Sequence, residues 1–328
     1  MRNQWKTVRY FLEWLGCLAL ERTLRWLPHP ALVRLSEGIA TLVYALDHRG
    51  RSIALANLEA VFGDRFSAEE RDQIAAKSYE NFALTMLELF WAQGISPETF
   101  AAQTEVKGFE PVLQRAAREG RGIAFACAHI GNWEWAALTF AQLGGTAQIV
   151  TQTFRNPRLT PLFSRLRKHE KHTLISQERA MLKLLKSALR GEHTALLPDL
   201  NLGPQEGAVL IRVFGPEPFE ICVPQLHAVL ALRANALLVP VVTDRLPGGK
   251  LSIEALPPVE IPPEATAAEI VQKTWDLYEP HIRRKPELWI WAYKHFRFVP
   301  RNAPRPYPFY AKSKPEFEAL RKASPGFL

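Results

Sequence analysis

The chain has 328 residues, 47% of them hydrophobic and 23% charged, with 41 lysines and arginines against 33 aspartates and glutamates, a net charge of +8. This is a globular composition for one large or two moderate domains, and it excludes disorder, collagen-like repeats and coiled coil as the main architecture. The positive balance favours an anionic partner, whether nucleic acid, an anionic membrane, or an acidic protein or substrate, without choosing among them. Cys17, Cys127 and Cys222 have neither metal-knuckle nor redox-motif spacing. A reducing compartment is therefore expected, with no disulfide framework and no zinc site.

In residues 1–20, Arg2, Lys6 and Arg9 precede or flank an apolar part carrying Trp5, Tyr10, Phe11, Leu12, Trp14, Leu15, Leu18 and Leu20. Glu13 interrupts that part, and Glu21 and Arg22 follow it, so it lacks the clean apolar core of a signal peptide. A membrane-crossing helix needs about 20 apolar residues in a row. Neither this stretch nor residues 31–46, broken by Arg34 and Glu37, supplies them. What remains is a pair of amphipathic helices rich in Trp, Leu and Arg. Such a pair suits a membrane interface, or else packs on the domain as an ordinary helical hairpin.

Further along, Ser67-Ala68-Glu69-Glu70 is a capping box that opens a helix to about residue 93, where Gly94 stops it. Residues 109–119 read as a helix and 122–128 as a buried strand. Residues 135–143 are helical, closed by Gly144-Gly145, and 147–151 form a strand. A helix over 179–190 ends at Gly191, a strand covers 194–197, a helix 224–233 and a strand 236–242. Residues 250–256 suit an edge strand, and 266–284 a last long helix. Alternation of strand and helix predicts the α/β class, a largely parallel central sheet flanked by helices. N-terminal helices are expected over 1–50, an α/β domain over 51–300, and an extended Pro-rich tail over 301–328.

The most informative segment is Ala128-His129-Ile130-Gly131-Asn132-Trp133-Glu134. A strand runs into His129, and a helix begins near Asn132, a plausible N-cap. His129 and Glu134 are five positions apart, about 140° around a continuous helix, so they meet only if the backbone turns, which Gly131 permits. Glu134 would then reach back to His129. A histidine hydrogen-bonded to a carboxylate is a general base with a fixed tautomer. Cys127 is expected to point to the other side of the strand, into the core, so the base would activate a hydroxyl on the substrate. The alternative is a satisfied core histidine beside a surface glutamate.

Arg155, Arg165 and Arg167 follow the second strand, at the edge where open α/β sheets bind ligands, and suit a phosphate or other planar anion, or simply form a solvated basic face. Asp199 follows the next strand, ahead of the Gly203 to Gly207 loop. It could orient a base or an arginine, or form a turn. A metal held by His129, Glu134 and Asp199 is not expected, because no second histidine has ligand spacing. His169 and His172 lie in a basic run, a poor home for a cation. The aromatic and basic stretch over 288–297 fits a lipid interface or a buried strand. No nucleic-acid motif accompanies it, so no nucleic-acid partner is expected.

The run from Cys127 to Glu134 resembles the H-x4-D/E motif of the bacterial lipid A biosynthesis acyltransferases, within the wider glycerolipid and lysophospholipid acyltransferase group. Ala56-Asn57-Leu58 with Val61-Phe62, Asn81-Phe82 through Glu88, Arg155-Asn156-Pro157, Leu197-Pro198-Asp199, Gly203-Pro204 with Phe214-Gly215, residues 236–240, and Pro286 through Trp291 resemble further family blocks in order. The resemblance covers about residues 15–300. It implies His129 as general base with Glu134 as its partner, and Arg155, with Arg165 or Arg167, on an acceptor phosphate or the oxyanion. Asp199 is implied as a structural or site carboxylate, and Asn132 joins the substrate-binding set. It also implies an acyl-thioester donor on acidic acyl carrier protein or CoA, no cofactor or metal, and an anionic lipid acceptor at the cytoplasmic face of the inner membrane. Leu200, Glu206 and Ile130 depart from the family's frequent residues and leave the acceptor open. Another membrane lipid, a non-catalytic lipid-binding protein and a thioester hydrolase stand as alternatives.

Overall fold

The computed structural model describes residues 2–168, 172–178, 180–204 and 207–324. Arg179, the expected first residue of a helix, His169 of the basic run and Glu206 of the glycine loop lie outside the described residues.

The N-terminal pair is α1 (Arg2–Thr23) and α2 (His29–Leu46). Among the described residues no helix is long and apolar enough to cross a membrane. One side of the pair is apolar and bare: Trp5, Phe11, Leu12 and Leu15 on α1, Leu42, Val43 and Leu46 on α2, and Trp26 between them, which is 75% exposed. The other side packs Leu24 and Leu32 against Leu84, Leu87 and Phe90. Asp47 turns the chain into α3 (His48–Phe62) by accepting from the Gly50 amide at 2.9 Å. The expected capping box opens α4 (Ala68–Trp91): the Glu70 amide donates to Ser67 Oγ at 3.2 Å and the Ser67 amide to Glu70 Oε2 at 2.7 Å.

After α5 (Pro97–Gln103) the chain alternates. In order come β1 (Thr104–Lys107), α6 (Phe109–Glu119), β2 (Ile123–Cys127), α7 (Trp133–Gln142), β3 (Ala147–Thr151), α8 (Leu159–Lys168), β4 (Thr173–Ser176), α9 (Ala180–Leu189) and β5 (His193–Leu196). A separate antiparallel hairpin follows, β6 (Ala208–Val213) and β7 (Phe219–Pro224). Then come α10 (Leu226–Ala234), β8 (Leu237–Arg245), β9 (Leu251–Ala255), α11 (Ala267–Arg284) and α12 (Pro315–Ala323). The main sheet is seven-stranded, ordered β1-β9-β8-β2-β5-β3-β4, and every neighbouring pair is parallel except β8 with β9. This is the α/β class that the alternation predicts.

Several elements lie outside the sequence expectation, among them the helices α3, α5 and α8, the strands β1 and β4, the β6–β7 hairpin and α12. β1 and β4 are four-residue strands at the sheet's edges, and β1 alternates only between half-buried and exposed residues, so neither carries an apolar run. The β6–β7 hairpin follows the Gly203 to Gly207 loop, where no element is expected, and α12 falls in the expected tail. Yet α12 starts with Pro315 in its first turn and buries Phe317 with Leu210, Cys222 and Phe298.

Side-chain alternation along β2 divides the core. Ala124, Ala126 and Ala128 face the side covered by α10 and α11, while Ile123, Phe125 and Cys127 face α6 and α7. The aromatic stretch after a 3-10 turn at Pro286–Leu288 is core: Trp289, Trp291 and Phe296 are fully buried. Buried Asn57 on α3 holds it, donating from Nδ2 to the Trp291 and Tyr293 carbonyls, both at 2.8 Å, and accepting from the Tyr310 hydroxyl. Asn57→Ala would leave these buried groups without partners, and each such group costs about 1–3 kcal/mol. Urea unfolding is expected to show a loss of that size with an unchanged slope. A midpoint equal to wild type would mean that the closing segment is held elsewhere.

Candidate active site

β2 and β5 pair in parallel with Ala126 opposite Leu196. Three residues beyond that register lie His129 and Asp199, so both leave the same edge of the sheet side by side. His129 Nδ1 lies 2.7 Å from Asp199 Oδ1, and the His129 amide donates to Oδ2 at 3.0 Å. Trp289 Nε1 donates to the same Oδ2 at 3.0 Å. Asp199 is 1% exposed. Burial alone would raise its carboxyl, but His129 beside it and these N–H donors outweigh that and hold it below the usual carboxylate range. An ionised carboxylate accepts, so Nδ1 carries a proton, and in the neutral ring Nε2 keeps its lone pair. Among the described residues nothing hydrogen-bonds Nε2, and the His129 ring lines a cavity.

The loop that carries His129 is tightly tied. Gly131 has φ +58°, and a Cβ there would lie 2.6 Å from Thr243 Oγ1 and 2.7 Å from its carbonyl oxygen, so glycine is required. Its amide donates to the Leu288 carbonyl at 2.9 Å, and its carbonyl accepts from Asn81 Nδ2 at 3.1 Å and Thr85 Oγ1 at 3.0 Å.

The expected hydrogen bond between Glu134 and His129 is not formed, because Asp199 takes that position. Glu134 is gripped by Arg167, with Nε to Oε2 at 2.9 Å and Nη2 to Oε1 at 2.5 Å, and both line the His129 cavity. Asp199, expected among the substrate-binding residues, is too deeply buried to touch a substrate and holds His129 instead. Asn132 is also fully buried: its Oδ1 caps α7 by accepting from the Trp135 amide at 3.0 Å, and its Nδ2 donates to Glu88 at 2.7 Å. Arg165 makes a bidentate pair with Glu21 that ties α8 to α1. Arg155 is exposed on the loop after β3 and lies outside the cavity wall. Cys127 lines the same cavity as His129, because residues two apart on a strand share a face; burial pushes its thiol well up, so it is inert.

The cavity, about 200 Å³, runs between the sheet and α7. Small side chains open it: Ala136 and Ala137 on α7, Ala147 on β3 and Ala195 on β5. Phe109, Phe125 and Phe140 also line it, with Phe125 and Phe140 edge to face at 4.8 Å. His172 ties its wall together, accepting from the Ala147 amide at 3.2 Å and donating to the Ala137 carbonyl at 2.8 Å. The site is thus an oriented imidazole, an arginine–carboxylate pair and an apolar slot. That combination can deprotonate a hydroxyl beside a long apolar substituent.

Beneath the loop lies a charged cluster that the sequence reading did not identify: Glu88, His29 and Arg245, with Asn81 and Thr85. Its one sequence signal is Glu88 itself, an acid on the buried side of α4 between Leu87 and Leu89.

Residues 2–298 match the family described as "Bacterial lipid A biosynthesis acyltransferase". The lipid A biosynthesis lauroyltransferase of Escherichia coli (strain K12) is 29% identical over 303 residues, 91% of this chain and 95% of the relative. The lipid A biosynthesis palmitoleoyltransferase of the same organism is 26% identical over 306 residues, 89% of this chain and 93% of the relative. A lipid A biosynthesis acyltransferase of Shigella flexneri has the same identity and coverage.

The depressed Asp199 carboxyl makes stability depend on pH. Its contribution is present above the unfolded value, about 3.9, and is lost as pH falls through the lower folded value. Between pH 7 and pH 3, wild type is expected to lose unfolding free energy more steeply than Asp199→Asn, read from urea midpoints. Parallel curves would show that Asp199 is not held ionised by His129.

Proposed function

Because the chain belongs to the bacterial lipid A biosynthesis acyltransferases, we propose that it moves a fatty acyl chain from an acyl thioester to a hydroxyl of a lipid A precursor, with His129 as general base. The observation that carries this reading is the Asp199-oriented imidazole at an apolar slot. Nε2 takes the proton of the acceptor hydroxyl, and the oxygen attacks the thioester carbonyl. Collapse of the tetrahedral intermediate forms the ester and breaks the C–S bond, and the imidazolium returns the proton to the departing sulfur. No cofactor enters this scheme.

The acyl chain fits the slot lined by Ala137, Ala195 and the phenylalanines. Arg167 can turn from Glu134 toward the developing oxyanion, for which its planar fork is suited. Until then Glu134 keeps Arg167 at the slot. Arg155, exposed three residues beyond the slot-lining Gln152, is free to meet an acceptor phosphate. The +8 charge favours an acidic carrier protein as the donor's vehicle. The bare apolar sides of α1 and α2 support a peripheral seat on the inner membrane's cytoplasmic face. The two Escherichia coli relatives are named for different chains at similar identity, so chain length is left to the slot.

The test is purified full-length protein with acyl carrier protein loaded with a fatty acid, and a lipid A precursor or a lysophospholipid as acceptor, read by mass spectrometry. One added acyl group on the lipid A precursor is expected, and transfer only to the lysophospholipid would overturn the acceptor. His129→Ala is expected to lose roughly 10²- to 10⁴-fold in rate, the span of general-base catalysis. Turnover by that variant at the wild-type rate would overturn the mechanism. Arg155→Ala is expected to raise the acceptor KM with kcat kept, and superimposed saturation curves would return Arg155 to the solvated basic face.

A further inference from the structure

We propose that Glu88, Arg245 and His29 are positioning residues for the reaction, a buried charged hub through which the docked N-terminal helix α2 holds the His129 loop. The proposal rests on the reading of His129 as general base.

Glu88 is fully buried in the middle of the fold. An isolated carboxylate there costs several kcal/mol, and one unpaired partner is strongly destabilising. Burial would raise it, yet Arg245 and His29 together bring it below its usual range, so it is held as the anion. Arg245, at the end of β8, donates Nη1 to Oε1 at 3.0 Å and Nη2 to Oε2 at 2.8 Å. His29, at the first turn of α2, donates Nε2 to Oε1 at 2.9 Å. Asn132 Nδ2 completes the shell at 2.7 Å.

The hub continues to the loop backbone. Arg245 Nε donates to Asn81 Oδ1 at 2.7 Å, and Nη2 donates to Thr85 Oγ1 at 3.2 Å. This sets which way each side chain faces. With its oxygen engaged by Arg245, the Asn81 amide must present Nδ2 to the Gly131 and Leu288 carbonyls, and the Thr85 hydroxyl must give its proton to Gly131. Gly131 lies two residues after His129 and Asn132 three. The charge pair therefore grips the loop at its carbonyl and at the cap of α7. None of these groups lines the His129 cavity, so the hub acts through the loop and not on substrate. A displacement of about 1 Å at a reacting group can lower a rate roughly 10²-fold.

The experiment compares full-length wild type, His29→Ala, His29→Gln, Arg245→Lys and His129→Ala. For each it measures kcat, acceptor KM, thermal midpoint and cosedimentation with vesicles of phosphatidylethanolamine and phosphatidylglycerol. His29→Ala is expected to lose roughly 10- to 100-fold in kcat, with acceptor KM and vesicle binding kept. His29→Gln should recover much of that, because its amide again offers Glu88 an N–H. Arg245→Lys should not recover, since a single ammonium cannot contact Glu88, Asn81 and Thr85 together. Wild-type kcat in His29→Ala and Arg245→Lys would overturn the proposal, as would a loss that merely follows vesicle binding. If His29→Ala fails to fold, Arg245→Lys against His29→Gln decides: equal kcat at intact thermal midpoints overturns the hub. An active His129→Ala instead overturns the base assignment, whereas an inactive one beside unaffected hub variants overturns the hub alone.

Discussion

Parallel registry between β2 and β5 is the constraint on which the rest of the site depends. Two adjacent parallel strands end at the same edge, and equal numbers of residues beyond a paired position arrive together. His129 and Asp199 meet for that reason alone, seventy residues apart in sequence. A slip of one residue would turn one of the two side chains to the opposite face of the sheet. The crossover between the strands supplies much of the slot wall, from α7, β3 and His172, and on α8 the arginine that pairs with Glu134.

The site also shows how an apolar slot and a charged cluster can coexist a few residues apart. On the α7 side of the sheet, alanines leave space, and His172, Glu134 and Arg167 at the wall have partners of their own. On the α4 side, Glu88 faces a fork-shaped cation and an imidazole, and each of its oxygens is met by more than one donor. The loop from Ala128 to Asn132 runs between these two environments. Its glycine is fixed by sterics from Thr243 and by hydrogen bonds from α4.

Much of this was legible in the sequence. The five principal strands, the capping box at Ser67 and the strand–loop–helix around His129 follow from period, caps and glycines. Nearness in sequence points His129 to Glu134, the closest acid, whereas its partner is Asp199, because spacing along one loop says nothing about a neighbouring strand. The sequence allows Asp199 to orient a base, but its role depends on strand order, which a single sequence does not encode locally. Cys127 lies in the core as expected, but on the same face as His129, because residues two apart on a strand share a face. Arg165 and Asn132 carried the right chemistry but were already engaged, by Glu21 and by Glu88, over separations that no local pattern reveals. The slot could not be read at all, because an alanine signals absence of volume only once its neighbours are known.

The order of strands in space has a consequence for how the chain is made. Among the described residues β1 finds its one sheet neighbour in β9, Thr104 opposite Leu251, and β2 is flanked on one side by β8. Ser78 and Asn57 bond to carbonyls of Trp289 and Trp291, more than two hundred residues later. During synthesis from the N-terminus, the first half therefore emerges with strand edges bare and α4 lacking the aromatic segment that covers it. Loop closure over such distances is slow, and exposed edges are the part of a nascent α/β chain most prone to pair wrongly. For this polypeptide the vulnerable interval extends until the segment around Trp291 has left the ribosome, and the apolar sides of α1 and α2 are bare throughout it.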